Sequence, residues 1–260
     1  FAKSGQETEY LYRDAAGDER VLKGVKFEVG PGRVLGIVGP PGSGKSTIAH
    51  LIPRFYDVGG GRITIDGQDI RDVTLESLRR VVGVVQQDTF MFTASIENNV
   101  AYGDPWADRE RITHATGSAQ LSGYVNRLPR EYSTLVGERG VSLSGGQRQR
   151  LSIARSVLMK PSIMVFDDST AAIDAATEVR IRSALREVTR NRATIIISHR
   201  LSSLMHAEEI IFLEDGRIVE RGTHDQLVEK GGRYQALYEL QGRPRPSRAA
   251  QVTAQNRATR

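Results

Sequence analysis

Gly39-Pro-Pro-Gly-Ser-Gly-Lys-Ser46 decides how this sequence is read, because it satisfies G-x-x-x-x-G-K-[ST] at every fixed position. It also stands where that pattern has to stand. Arg33-Val-Leu-Gly-Ile-Val38 before it reads as a buried strand, and Thr47–Phe55 after it reads as a helix broken near Pro53. Glycines at a strand-to-helix turn let backbone N–H groups face inward, and the helix N-terminus adds the positive end of its dipole. The candidate phosphate contacts are therefore Gly39, Pro40, Gly42, Ser43, Gly44, Lys45, Ser46 and Thr47. Lys45 is expected to reach the β- and γ-phosphates, and the Ser46 hydroxyl to ligate Mg²⁺. The ligand this implies is a nucleoside triphosphate.

A second strand closes the site. Ile163-Met-Val-Phe166 delivers Asp167 and Asp168 at its carboxyl edge, where ligands bind in sheets of this kind. Asp167 is the natural Mg²⁺ acid beside Ser46. Around these two motifs short β-rich runs alternate with helical patterns, which predicts an α/β sheet protein. Ile63-Thr-Ile65 runs into the tight turn Asp66-Gly67, and Val81–Val85 and Thr194–Ile197 read as further strands. Glu209–Leu213, Asp215-Gly216 and Arg217–Glu220 read as a hairpin. From Ser95 to about Arg130 the pattern is polar and helical, punctuated by Gly103-Asp-Pro105. Gln147–Met159 reads as an amphipathic helix, apolar at positions 151, 154 and 158 and also at 153 and 157.

Composition removes several classes of function. The 260 residues are 39% hydrophobic and 26% charged, an ordinary globular balance with enough apolar residues for a sizeable core. There is no cysteine, so disulfide scaffolds, thiolate metal sites and thiol nucleophiles are excluded. Apolar runs such as Ile163–Phe166 and Ile195–Ile197 fall far short of the roughly 18 residues of a membrane span. The net charge of +5 comes from five arginines and no acid within 242–260, and residues 1–241 are neutral. The basic balance is thus no argument for a nucleic-acid partner, and 242–260 is expected to be a disordered basic tail. Opening at Phe1 without a start Met or a signal-peptide pattern, the sequence reads as a piece of something longer.

Leu143-Ser-Gly-Gly-Gln147, leading straight into the second helical pattern, makes the sequence resemble the ATP-binding cassette family. Other elements of that family arrive in order. Gln87, in Val84-Val-Gln-Gln-Asp88, matches its loop glutamine, and Val136-Gly-Glu-Arg-Gly140 looks like a segment typical of exporters. Asp174, in Ala171-Ala-Ile-Asp174, matches the loop after the acids. His199 matches the switch histidine after a buried strand. Tyr12 looks like the aromatic that stacks on adenine, with Tyr10 on the same face of its strand as the other candidate. The resemblance implies a P-loop NTPase (RecA-like) α/β core with an antiparallel β subdomain and an α-helical subdomain. It places one nucleotide-binding domain over residues 1–241, with the helical part at about 88–157.

It also implies a mechanism. Two cassettes pack head to tail, and each ATP lies between one P-loop and the partner's Ser144, Gly145, Gly146 and Gln147. Gln87 would contact Mg²⁺ or the attacking water, and His199 would hold the γ-phosphate. The attached transmembrane domain would place the cassette on the cytoplasmic face of the membrane as an exporter's ATPase. Asp168 departs from the family, whose hydrolysing members carry glutamate there. A carboxylate one methylene short misplaces a general base, which contributes ~10²–10⁴-fold when well positioned. The sequence therefore resembles the degenerate half of a heterodimeric exporter, with a slow homodimeric motor as the alternative. A soluble ABC ATPase acting on DNA fits less well, since Lys45 to Ser144 leaves no room for a long coiled coil.

Overall fold

The computed structural model describes residues 2–3, 8–10, 21–86, 89–137, 142–167 and 191–242. In chain order it begins with short strands β1 (Ala2–Lys3), β2 (Thr8–Tyr10), β3 (Leu22–Val25) and β4 (Glu28–Val29). They form two antiparallel pairs, β1 with β4 and β2 with β3. Strand β5 (Val34–Val38) then leads through the glycine-rich turn into helix α1 (Lys45–Leu51). The hairpin β6 (Thr64–Ile65) and β7 (Gln68–Asp69) follows. Its turn puts Asp66 at φ 52° and Gly67 at φ 83°, the left-handed pair that joins twisted strands in a two-residue loop.

Between this turn and Val81, where no sequence pattern marks an element, lies helix α2 (Leu75–Val81), capped by the Thr74 hydroxyl, which accepts from Ser77 N–H. Val81 is thereby corrected from strand to last helical residue. Strand β8 (Val82–Val85) starts one position later, where φ −112° and ψ 111° leave the helical region.

Next come β9 (Ala94–Ser95), α3 (Ile96–Val100), α4 (Arg109–Ser118), α5 (Ser122–Val125), β10 (Leu135–Val136) and α6 (Gly145–Leu158). Polar side chains start three of these helices: Ser95 on α3, Asp108 on α4 and Ser144 on α6. The chain continues with β11 (Ile163–Asp167), β12 (Ala193–Ile197), β13 (Glu209–Glu214), β14 (Arg217–Gly222), α7 (His224–Glu229) and α8 (Arg233–Leu240). Asp215 and Gly216 turn β13 into β14 with the same left-handed pair, at φ 48° and 75°.

The central sheet runs β14-β13-β5-β12-β11-β8, parallel throughout except for the antiparallel edge strand β14. A parallel sheet is covered on both faces, which is why its strands read as unbroken apolar runs. The side chains split by parity. Leu35, Ile37, Ile163, Val165, Ile195, Ile197, Ile211 and Leu213 join one core with Ile48 and Leu51 of α1. From the opposite face, Met164 and Phe166 enter a second core with Leu151, Ile153, Ala154, Val157 and Leu158 of α6. At the other end of that face, Val38, Ile210 and Phe212 meet Leu201, Leu227 and Tyr234 in a third. Each buried aliphatic side chain contributes about 1.5–3 kcal/mol, so the parity split specifies which helix covers which face.

Candidate functional site

Strand register brings the candidate residues to one edge. Ile197 lies opposite Ile37, and Asp167 lies opposite Ile197. The carboxyl ends of β5, β12 and β11 therefore stand side by side, carrying the glycine-rich loop, His199 and Asp167. The loop's shape follows from its glycines. A Cβ on Gly39 would collide with the Leu213 carbonyl oxygen of the neighbouring strand. Gly44 sits at φ 99°, and a Cβ there would come within 2.6 Å of Leu22 Cδ2. Gly42, at φ 78°, faces open space.

Inside this turn the Lys45 side chain is buried, 6% exposed. Its Nζ donates to Gly39 O at 2.9 Å, Pro40 O at 2.7 Å and Ser43 Oγ at 3.3 Å, so the ammonium lies at the centre of the loop. Ser43 is buried with it, Pro40 and Ser46 are exposed, and Thr47 is half-buried. The Ser46 hydroxyl donates to Asp167 Oδ1 at 3.3 Å, across the gap between β5 and β11. That contact brings together two motifs that lie 121 positions apart in the sequence.

A hydroxyl and a carboxylate at this separation are the donors Mg²⁺ takes in nucleotide sites, where it completes its shell with phosphate oxygens and water. Among the described residues no cluster of three His, Cys, Asp or Glu side chains would hold a metal alone. The Ser46 and Asp167 donors suit a cation carried in by a nucleotide.

Other expected residues are distributed differently. His199 is exposed, one residue past Ser198, whose N–H donates to Ile37 O at 3.2 Å. Tyr12, Gln87, Asp168 and Asp174 lie outside the described residues. Tyr10 is the last residue of β2, with its Cα opposite Leu22.

Ser144, Gly145, Gly146 and Gln147 open α6. Ser144 Oγ accepts from Gln147 N–H at 3.3 Å, and Gln147 Oε1 accepts from Ser144 N–H at 2.8 Å, a reciprocal capping box. The side chains of Ser144 and Gln147 are thus both engaged in fixing the helix start, with Ser144 exposed and Gly145 and Gly146 half-buried. α6 packs on α3, α4 and β8, whereas α1 packs on β11 and β12, so the two glycine-rich helix starts belong to different cores.

A further network carries no mark in the sequence. Asn99, fully buried, accepts at Oδ1 from Phe92 N–H (3.0 Å) and from Arg155 (3.2 Å), and donates from Nδ2 to Phe92 O and Ser95 O. Arg155 also donates to Asn99 O at 2.9 Å and to Phe90 O at 3.3 Å. Burial pulls its guanidinium below its ordinary pKa. Phe92 stacks on Tyr102 at 4.1 Å and meets Phe90 edge-on, leaving Phe90 69% and Tyr102 59% exposed. Asparagine and arginine at these spacings look like ordinary helix residues, so only the fold reveals the network.

The family model described as ABC transporter matches residues 22–171, more than half of the chain. The chain belongs to the ABC transporter family. Its fold is the mixed α/β ABC ATPase fold, and as an ABC-type ATPase domain it binds ATP. The cassette is 49% identical over 222 residues to an uncharacterised ABC transporter ATP-binding protein of Bacillus subtilis, YknU, covering 85% of this chain and 38% of that protein. It is 44% identical over 237 residues to an ATP-dependent lipid A-core flippase of Aromatoleum aromaticum, covering 91% of this chain and 39% of the flippase. A bacterial Atm1-family ABC exporter solved with ATP bound superposes with a TM-score of 0.86 at 42% identity, over 93% of this chain and 42% of the exporter. The chain thus spans well under half the length of these relatives. Among its described residues no helix is long and apolar enough to cross a membrane.

Proposed function

We propose that the cassette is the motor domain of an ABC exporter, binding MgATP between its own P-loop and the Leu143–Gln147 segment of a second cassette packed head to tail. The observation that carries this reading is the Ser46–Asp167 contact beside the buried Lys45, at the same sheet edge from which His199 emerges. Lys45 would hold the β- and γ-phosphates, Ser46 and Asp167 would hold Mg²⁺, and His199 would contact the γ-phosphate. Mg²⁺, when bound, supplies neutralisation of the phosphate charge. Tyr12, Gln87 and Asp174 would complete the contacts to base, attacking water and dimer. Ser144, Gly145 and Gly146 start a helix of the other core, which supports their acting on a partner's nucleotide rather than on their own.

The helical part, about 88–157, would carry the surface met by the transmembrane domain. The exposed Phe90 and Tyr102, braced through Phe92 by Arg155 and Asn99, offer an apolar contact there, and Trp106 and Leu135 of the same part are exposed as well. That domain would hold the cassette at the cytoplasmic face of the membrane, and ATP-driven closure of the pair would open the path for substrate.

Asp168 would make this site slow, with a partner cassette of different sequence supplying the competent one. The test is steady-state ATPase activity of the purified chain beside Asp168→Glu and Lys45→Ala. A silent chain that binds ATP and gains at least ~10²-fold in turnover with glutamate supports the degenerate half. Cooperative turnover in the native chain, little changed by glutamate, points to the homodimeric motor instead. Undiminished ATP binding by Lys45→Ala overturns the site itself.

A further inference from the structure

Gln241 follows the last residue of α8, and its side chain spans the turn after β12. Its Nε2 donates to His199 O at 2.6 Å, and its Oε1 accepts from Leu201 N–H at 3.0 Å. One amide thus closes over the main chain on both sides of Arg200. The clamp is itself anchored. At the other end of α8, Glu220 accepts from Arg233 N–H at 2.6 Å and Tyr234 N–H at 3.0 Å, and Tyr234 is fully buried. On its inner side the same turn is held to the P-loop strand by the bond from Ser198 N–H to Ile37 O, and Arg200 N–H donates to Ser198 Oγ at 3.0 Å. The main chain bearing His199 is fixed between β5 on one side and the end of α8 on the other.

We propose that Gln241 is a positioning residue of the nucleotide site: its two-ended bond to the 199–201 main chain sets where the His199 imidazole lies relative to the γ-phosphate. The proposal rests on the reading of His199 as a γ-phosphate contact. Gln241 touches no nucleotide in this scheme and acts through His199 alone. Because ADP lacks the γ-phosphate, loosening the clamp acts on ATP and spares ADP. Hydrolysis is not needed to see the effect, so a slow site does not obscure it.

The experiment measures MgATP and MgADP affinities of the 260-residue chain by competition against a fluorescent nucleotide. The proteins are the native chain, His199→Ala, Gln241→Ala and the double variant. Gln241→Ala is expected to weaken ATP about fivefold, the worth of one net hydrogen bond, with ADP unchanged. It should add nothing in the His199→Ala background, as for two residues acting as a unit. Gln241→Glu keeps the acceptor for Leu201 N–H but turns a carboxylate oxygen towards His199 O, and should give the same selective loss without truncating the side chain. If His199→Ala loses the preference for ATP while both Gln241 variants keep it, the positioning role is overturned and the reading of His199 stands. If His199→Ala itself keeps the preference, the reading of His199 fails and the proposal falls with it. A Gln241 variant that weakens ADP equally, or adds its full loss to that of His199→Ala, shows a purely structural role and overturns the proposal.

Discussion

Gly39 and Gly42 are two glycines of one loop with different physical reasons for being there. At Gly39 a Cβ would press into the Leu213 carbonyl, whose strand is fixed in the sheet, so the loop would have to lift from β13. At Gly42 nothing lies within 4 Å of a Cβ, and only the left-handed backbone at φ 78° resists a side chain. Gly39→Ala should therefore cost about 1–3 kcal/mol, the usual range for forcing atoms into packed structure, and displace Lys45, which bonds the Gly39 carbonyl. Gly42→Ala should cost at most ~1–2 kcal/mol of backbone strain and leave the sheet untouched. Urea melts beside nucleotide titrations check both. Equal destabilisation by the two substitutions would show that backbone conformation, not the approach of β13, governs the loop.

Among the elements, the pairing of α7 with α8 contains a titratable contact. His224 Nδ1 lies 2.8 Å from the Tyr234 hydroxyl, with the Tyr238 ring centroid 5.1 Å away and the Asp225 carboxylate beside it in sequence. Burial lowers the His224 pKa, partly opposed by Asp225, and burial raises that of the Tyr234 phenol. A histidine held below its unfolded pKa of about 6.5 stabilises the fold fully above that value, and the contribution is lost as pH falls towards the folded pKa. The drop in urea midpoint from pH 7.5 to 5.5 should therefore shrink in His224→Gln. An equal drop in both proteins would place the acid sensitivity elsewhere. Neither this contact nor the clamp by Gln241 is legible in the sequence, since a lone histidine and a lone glutamine carry no local pattern. What is legible is what depends on period and punctuation: the apolar strands 163–166 and 194–197, the two left-handed hairpin turns and the amphipathic α6. The P-loop is legible because its chemistry constrains neighbouring residues. α2 escapes because its seven residues bury only Leu78, too little for a helical stripe.

For the whole molecule, the decisive feature is that the P-loop, on β5 and α1, and Ser144, at the head of α6, belong to different cores, and the proposed head-to-tail pair would use them as two half-sites. If each half serves the other copy, two differently damaged copies should repair one another. Lys45→Ala keeps Ser144 but loses the phosphate site. Ser144→Arg keeps the P-loop but blocks the γ-phosphate face, at a local cost of about 1 kcal/mol for the lost cap, which the buried face of α6 absorbs. With Asp168→Glu in both, neither protein alone should turn over ATP. Random pairing makes about half of the dimers hybrid, each with one of its two sites intact, so an equal mixture should recover roughly a quarter of the sites. Recovery should grow with protein concentration, because the intact site exists only in the pair. A mixture that dimerises on ATP yet stays silent would mean that each P-loop depends on its own chain's Ser144, and the head-to-tail arrangement would be wrong. Activity in the Ser144→Arg protein alone would mean that the Leu143–Gln147 segment caps α6 and does nothing further.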